Sequence, residues 1–159
     1  MALLFWDSVL TYSMKHPSLI AKVALSLEAA KWVANAAEAA ATSLGIAVVI
    51  AIVDDGGNIL YLQRMDGAPI GSVEVAIRKA RSAVFFKTET KNFENGLSGG
   101  ATGLLSLDLV PFEGGIPAVL QQGIAGGVGV SGGTASQDGT VALAGIAALT
   151  ASPEGAAKA

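Results

Sequence analysis

The sequence contains no cysteine and a single histidine, and both shortages exclude kinds of chemistry. A chain without cysteine forms no disulfide and uses no thiolate for catalysis. A structural zinc site needs about four nitrogen or sulfur ligands, which one histidine does not supply within one chain. The sequence also shows no recognisable Ser-His-Asp arrangement around that histidine. No protein-ligated metal site is therefore predicted.

Charged residues are also scarce, at 14% of the chain, whereas typical soluble domains contain roughly 25%. The net charge of −3 provides no basic surface for nucleic acid. Apolar runs are interrupted by glycine, aspartate or lysine well short of the roughly 20 residues that a membrane span needs. A monomer this poor in charge would expose apolar patches. We therefore expect a cytoplasmic homo-oligomer that binds neither nucleic acid nor membrane.

The length of 159 residues is that of one domain. Residues 1–24 lack the basic start of a signal peptide and are predicted to be an N-terminal extension or arm. Met1 and Met14 both remain open as the natural start. Residues 25–150 are predicted to be the folded domain, and residues 151–159 a flexible tail.

Residues 48–87 predict the unit on which the fold is built. Two short apolar runs flank DDGGN at positions 54–58, a pattern typical of a β-hairpin because glycine supplies positive φ angles. Ser72 is predicted to be the N-cap of the helix that follows, in which apolar residues recur at helical spacing. Strand, turn, strand and helix are thus expected in that order.

Further elements are predicted on both sides of this unit. Residues 88–103 are polar and rich in glycine, and are interpreted as a functional loop, the wall or lid of a site. The other elements are a long helix, a short helix, two strands and a last helix, over 26–44, 102–107, 116–120, 127–130 and 134–149. Two hairpins without strand–helix–strand alternation predict an α+β domain with an antiparallel sheet.

A glycine-rich segment, GVGVSG at positions 127–132, fits the pattern G-x-G-x-x-G. A dinucleotide fingerprint needs a following strand–helix–strand unit, whereas here the helix is the last predicted element. Glycines that admit close backbone approach are therefore the favoured interpretation. A second hypothesis is that the amides around Ser131–Ala135, with Ser131 and Gly132 among the binding residues, hold a small anion or carboxylate at the helix N-terminus.

Several charged side chains are candidates for binding and proton transfer. Arg64, Asp66 and Lys79 lie closest to the predicted strand–helix corner. Arg64 is suited to hold a carboxylate through two hydrogen bonds, with Lys79 as a second cation. The alternative is a structural Arg64–Asp66 pair beside a solvated lysine. Glu74 together with Asp138 or Glu94 is the candidate acid–base pair, with Glu74 and Asp138 as the catalytic candidates.

Four blocks of the sequence resemble one known family. They are IAIVDDGGNILYLQRMDGA, SVEVAIRKARSA, GGIPAVL and GGVGVSGGTASQDGTVALAGIAAL. In this order they are similar to the GlcG/HbpS-like family, which includes the C-terminal domain of PduO-type proteins. The resemblance covers about residues 25–149. It implies a profilin-like α/β/α sandwich, an antiparallel sheet of about five strands flanked by helices, and dimers that assemble into higher oligomers.

The resemblance also implies a ligand, because characterised members of the family bind haem. Their iron ligand is a histidine near the N-terminus or a threonine, which corresponds here to His16 and to Thr88 or Thr90. The first hypothesis is therefore a small-molecule-binding protein with haem as its cofactor. The alternative is a cofactor-free lyase or isomerase for a small aromatic or hydroxy-acid carboxylate of a bacterial catabolic pathway, using the charged residues above. A purely structural oligomer is the third hypothesis.

Overall fold

The computed structural model describes residues 20–121 and 123–151. Several predictions concern residues that lie wholly or mostly outside these ranges. They are the predictions for the N-terminal arm, for its two candidate starting methionines, for His16 and for the tail beyond residue 151. The elements, in chain order, are α1 (Leu27–Ser43), β1 (Val49–Asp54), β2 (Ile59–Arg64), α2 (Ser72–Phe86), α3 (Thr90–Ser98), a 3-10 helix (Thr102–Ser106), β3 (Gly115–Leu120), β4 (Gly123–Ser131) and α4 (Ala135–Ala151).

The strands form one antiparallel sheet in the order β2-β1-β4-β3. The predicted α+β class and both hairpins are thereby confirmed, although the sheet has four strands rather than about five. The inner strands of the two hairpins pair with each other, and Val49 lies opposite Ser131. Helices cover both faces, with α1 and α4 on one and α2 on the other. This is the α/β/α sandwich that the sequence predicts.

Strand β1 is buried on both faces, which explains its continuous apolar sequence. Ile50 and Ile52 belong to the core beneath α1 and α4, together with Val33. Val49 packs on the opposite face against α2, where it meets Ala76. The alternation follows from the two-residue period of a strand.

Helix α1 begins where the sequence predicts. The Ser26 hydroxyl accepts a hydrogen bond from the Ala29 amide at 3.1 Å, and Gly45 follows the helix with φ +67°. Small residues line its buried side, namely Ala30, Val33, Ala34, Ala37 and Ala41. Because these side chains are short, α1 packs close to the sheet and to α4.

The glycines of the G-x-G-x-x-G segment bring α2 close to β4. A Cβ atom on Gly129 would collide with the backbone of Ala76 and Ala80, and one on Gly127 would lie 2.7 Å from the Val84 side chain. The interpretation of these glycines as positions of close backbone approach is thus confirmed.

Two local predictions are wrong. Ser72 is not the N-cap of α2: it is the first helical residue, and Gly71 takes the cap position without a side-chain hydrogen bond. The stretch 88–103 is not one loop, because α3 occupies Thr90–Ser98. That helix is stabilised by contacts that its polar composition conceals: the rings of Phe93 and Phe86 meet edge to face with centroids 5.5 Å apart.

None of the helices in the two described ranges combines the length and apolar character that a membrane span requires.

Candidate functional site

Several candidate residues lie at one end of the sheet, where β1 and β3 begin and β2 and β4 end. Val49 of β1 is opposite Arg64 of β2 on one side and Ser131 of β4 on the other. Arg64 and Ser131 therefore lie level with each other, two strand spacings or about 10 Å apart along the sheet. Gly115 opens β3 at the same end, opposite Gly129. We call this the Ser131 end, defined by Val49, Arg64, Gly115 and Ser131.

A buried ion pair joins the two helical layers at the Ser131 end. Lys79 of α2 places its Nζ atom 2.8 Å from Oδ2 of Asp138 on α4, and each side chain is only 3% exposed. The same Nζ donates to the Val130 carbonyl oxygen at 3.0 Å. Gly114 leaves room for this crossing, because a Cβ there would lie 2.9 Å from Nζ. The pair thus connects α2 to α4 from opposite faces of the sheet.

This geometry decides between the two interpretations of Lys79. A solvated lysine is wrong, because the side chain is buried. Its ammonium group is bound to a carboxylate, but that carboxylate belongs to Asp138 of the same chain. Asp138 is held on its other side as well, since Oδ1 accepts from the Gly133 amide at 2.9 Å. Both oxygens of the candidate proton-transfer group are therefore engaged.

The loop before α4 satisfies its own amides. The Thr134 amide donates to Oε1 of Gln137 at 3.0 Å, and the Thr134 hydroxyl accepts from the Gln137 amide at 3.3 Å, as in a capping box. The Gly133 amide is used by Asp138. Ser131 is buried and Gly132 has φ +147°. Two of the amides at which a small anion was predicted are therefore already bonded to protein groups.

Thr90 and Thr88 differ in their surroundings. Thr90 is fully buried. Its hydroxyl donates to the Phe112 carbonyl oxygen at 2.7 Å and accepts from the Gly115 amide at 2.8 Å. Thr88 is partly exposed, and its hydroxyl accepts from Nδ2 of Asn92 at 2.6 Å. A ligand arriving from solvent would reach Thr88 more readily than Thr90.

Thr88 follows a group of aromatic side chains at the end of α2. Phe85 and Phe86 are both exposed, and the Phe86 ring contacts Phe93 of α3. Lys87 lies between Phe86 and Thr88 with φ 55°, the left-handed conformation that ends the helix. We call Phe85, Phe86, Lys87, Thr88 and Phe93 the aromatic corner. It combines an apolar surface with a cation and a hydroxyl group.

Three further candidates, Arg64, Asp66 and Glu74, are exposed. Within residues 20–121 and 123–151, none of the three forms an ion pair, so the structural Arg64–Asp66 pair is not formed. No hydrogen bond joins Glu74 to Asp138 in the same ranges. The lyase or isomerase hypothesis therefore gains no support from this geometry. The described ranges also contain no group of three or more His, Asp or Glu side chains that would hold a metal ion.

Sequence reasoning missed the structural roles of Thr90, Gly114 and Gly115. Gly115 lets Thr90 and α2 approach β3, because a Cβ at this position would collide with the Lys79 carbonyl group and the Thr90 methyl group. The available signal was the glycine pair placed directly before the strand IPAVL. The signal for Thr90 was weak, since the residue stands in a polar stretch.

The chain matches a family model described as "Haem degrading protein HbpS-like" over residues 25–147. It is 41% identical to protein GlcG of Escherichia coli (strain K12) over 111 residues, which are 69% of this chain and 82% of GlcG. It resembles the crystal structure of Klebsiella pneumoniae protein ORFY with a TM-score of 0.78 and 34% identity, over 87% of this chain and 97% of ORFY. It also resembles a crystal structure of a PduOC:haem complex with a TM-score of 0.71 and 36% identity, over 79% of this chain and 95% of PduOC. With this coverage by the family model and this identity to GlcG, the chain belongs to the HbpS-like family.

Proposed function

We propose that this protein binds haem and functions as a homo-oligomer. The observation that carries the proposal is the likeness to the PduOC:haem complex, at 36% identity over 79% of this chain. Membership in a family whose model is described as haem degrading supports the same ligand. When bound, haem supplies an iron centre, whose chemistry depends on its axial ligand and on the polarity around it.

The aromatic corner supports the proposal by its chemistry. A haem-binding surface needs apolar contact for the macrocycle, cations for the propionates and a donor atom for the iron. Phe85 and Phe86 offer exposed rings, and Lys87 is an exposed cation beside them in the chain. The Thr88 hydroxyl is the accessible oxygen donor.

His16 is the second candidate for the iron ligand. A neutral imidazole is the more usual axial ligand of haem, and this chain has one. Because His16 lies outside the described residues, the choice between it and Thr88 rests on experiment. The proposal therefore assigns the macrocycle to the aromatic corner and leaves two residues to be compared as ligands.

A spectroscopic titration tests the proposal. Haemin added to the full chain is expected to give a Soret band that differs from that of free haemin and saturates at a fixed stoichiometry. Thr88→Val and His16→Ala are the test variants, and loss or displacement of the band identifies the ligand. Thr140→Val, which alters an exposed threonine of α4, serves as the control and is expected to bind like wild type. A spectrum identical to that of free haemin would overturn the proposal.

Self-association is supported by the apolar side chains that the described part of the chain leaves on its surface. Among them are Trp32, Ile70, Leu105, Phe112 and Leu143. Single exposed apolar residues are ordinary, but so many in a chain of low charge favour burial against another subunit. The mass of the purified protein in solution tests this part of the proposal independently of haem.

A further inference from the structure

The sheet has two outer edges, formed by β2 and β3. An outer strand presents unpaired amide and carbonyl groups on which another strand can pair, and natural proteins usually block such an edge with proline, charge or a covering segment. The two edges of this sheet differ in whether their outward backbone groups are available for pairing.

The edge of β3 is closed. The Val130 amide donates to the Gly114 carbonyl oxygen at 2.8 Å, so in this register the next residues, Gly115 and Pro117, direct their backbone nitrogen atoms away from β4. The outward amide of Gly115 is bonded to the Thr90 hydroxyl at 2.8 Å. Pro117 has no amide hydrogen to offer. This edge therefore presents little for another strand to pair with.

The edge of β2 is open within the described residues. The Met65 amide donates to the Val48 carbonyl oxygen at 3.0 Å, and Arg64 lies opposite Val49. The alternation of an antiparallel ladder therefore directs the backbone groups of Leu62 and Arg64 away from β1. Nothing in residues 20–121 and 123–151 forms a hydrogen bond with these groups. The strand ILYLQR contains no proline, glycine or lysine that would block pairing. A β-bulge at Leu60 interrupts its ladder with β1, so the regular part of this edge is residues 61–64.

We propose that β2 pairs antiparallel with β2 of a second copy of this chain, across a two-fold axis at Leu62. The proposal rests on the self-association proposed above and specifies its surface. Leu62 is the outward-directed residue nearest the middle of Ile59–Arg64, so an axis there gives the longest overlap. The two sheets of four strands would then become one continuous sheet of eight.

The side chains of β2 suit pairing with themselves. In this register Leu62 meets Leu62 of the other copy, and Tyr61 faces Gln63, two residues whose polar atoms already approach each other within one chain. Arg64 is the only charged residue of the strand. The two Arg64 residues stand four positions apart along the ladder, about 13 Å, so like charges do not meet.

Charge complementarity favours a second copy over an unrelated strand. The antiparallel register directs Arg64 toward the β1–β2 turn of the other copy, which carries Asp54 and Asp55. The Asp55 carboxylate already lies 3.2 Å from Nζ of Lys22, whose side chain is 74% exposed, so Arg64 would join a solvent-exposed ion pair there. In the described part of its own chain Arg64 has no acidic partner. Because the axis is two-fold, the pairing would bring the Arg64 guanidinium group of each copy near the acidic turn of the other.

The edge alone would bury less than the roughly 800 Å² per partner of a standard interface. Exposed apolar residues flank both ends of β2: Ile59 at its start is 46% exposed, and Ile70 in the loop that follows is 78% exposed. Contact of these side chains with the second copy would add to the buried area.

Disulfide trapping tests the proposal, because the chain has no cysteine of its own. In a hydrogen-bonded antiparallel pair the opposed Cα atoms are about 5.5 Å apart, a separation that a disulfide spans. Leu62→Cys is therefore expected to form a covalent dimer under mild oxidation, without a change in the native mass. Val119→Cys, on the closed outer strand and 60% exposed, is the matched control and is expected to remain uncrosslinked.

The outcomes separate the two proposals. A monomeric wild-type mass would overturn both self-association and the β2 interface, but would not affect the Soret titration. An oligomeric mass without a Leu62→Cys crosslink would overturn the β2 interface alone. If Leu62→Cys fails to fold, Arg64→Asp is the second variant: a carboxylate facing Asp54 and Asp55 is expected to raise the dimer dissociation constant at least about tenfold. An unchanged constant would contradict the proposal.

Discussion

The two ends of the sheet are held together by different physical means. At the Ser131 end, the buried Lys79 donates hydrogen bonds to the buried Asp138 and to the Val130 carbonyl oxygen. The buried Thr90 hydroxyl accepts one from the Gly115 amide. At the opposite end, the β1–β2 turn is held by Asp54, a partly exposed carboxylate that accepts from the amides of Gly56 at 2.9 Å and Asn58 at 2.8 Å. One end excludes water from its polar contacts, and the other does not.

The difference predicts where substitution is costly. A polar group buried with its partner is expensive to leave unpaired, because water cannot replace the lost bond. A solvated group recovers much of that loss from water. The Ser131 end should therefore dominate the sensitivity of the fold to polar substitutions. It also holds several of the candidate residues, so stability must be measured before any loss of binding there is interpreted as a loss of function.

The largest effect is expected for the Lys79–Asp138 pair. Asp138→Leu leaves the Lys79 ammonium group without its partner at a position that is 3% exposed. We expect a loss of about 3–5 kcal/mol in the free energy of unfolding, measured by chemical denaturation.

The neighbouring residue on α2 provides a matched control. Arg78 forms an ion pair with Asp108 at 3.0 Å, but its side chain is 50% exposed and that of Asp108 is 96% exposed. Arg78→Ala should therefore cost at most about 1 kcal/mol. Equal losses for the two variants would contradict the view that burial sets the cost at this end.

A smaller loss is expected for Thr90→Val, which keeps the shape of the side chain and removes its hydroxyl. The Gly115 amide and the Phe112 carbonyl oxygen would each lose a hydrogen-bond partner. We expect a cost of about 1–3 kcal/mol in a thermal or chemical unfolding experiment. Thr88→Val is the control, because Thr88 is partly exposed and bonds only a side chain, Asn92. A Thr90→Val protein as stable as wild type would show that water or a rearranged loop replaces these bonds.

The sequence predicted the architecture well because the relevant signals are local. Short apolar runs, the DDGGN turn and the helical spacing of apolar residues are each visible within a short stretch of sequence, and the helices and strands that they predict are present. Helix α3 escaped prediction because its stabilising contact is not local: Phe93 packs on Phe86 of another helix. Its asparagines and glycine favour a loop when considered alone.

The candidate site was harder to predict for the same reason. Lys79 stands three residues after Ala76 and four before Ala83, a spacing that places it on the buried side of α2. That spacing indicates burial, but it does not identify Asp138, 59 residues away in the chain, as the partner. The pairing depends on which helices meet across the sheet. Arg64, in contrast, lies at the strand–helix corner as the sequence predicts, and it forms no ion pair within the described residues.

The smallest effect is expected at the solvated end, for Asp54→Ala. Hydrogen bonds from Asn58 and from the amides of Gly56 and Gly57 hold the pKa of Asp54 below its ordinary value, although partial burial opposes them. Because the pKa is lower in the folded state, the carboxylate stabilises the fold above its unfolded-state pKa, and this contribution disappears as the pH falls through the folded-state pKa. At neutral pH the variant should lose about 1 kcal/mol in the free energy of unfolding, with screening by solvent limiting the effect. Asp54→Asn keeps an acceptor oxygen but removes the charge. Since neither asparagine nor alanine titrates, the difference in the free energy of unfolding between Asp54→Asn and Asp54→Ala should not change with pH. A wild-type advantage over Asp54→Asn that persists unchanged in acid would show that the charge of Asp54 does not hold this turn.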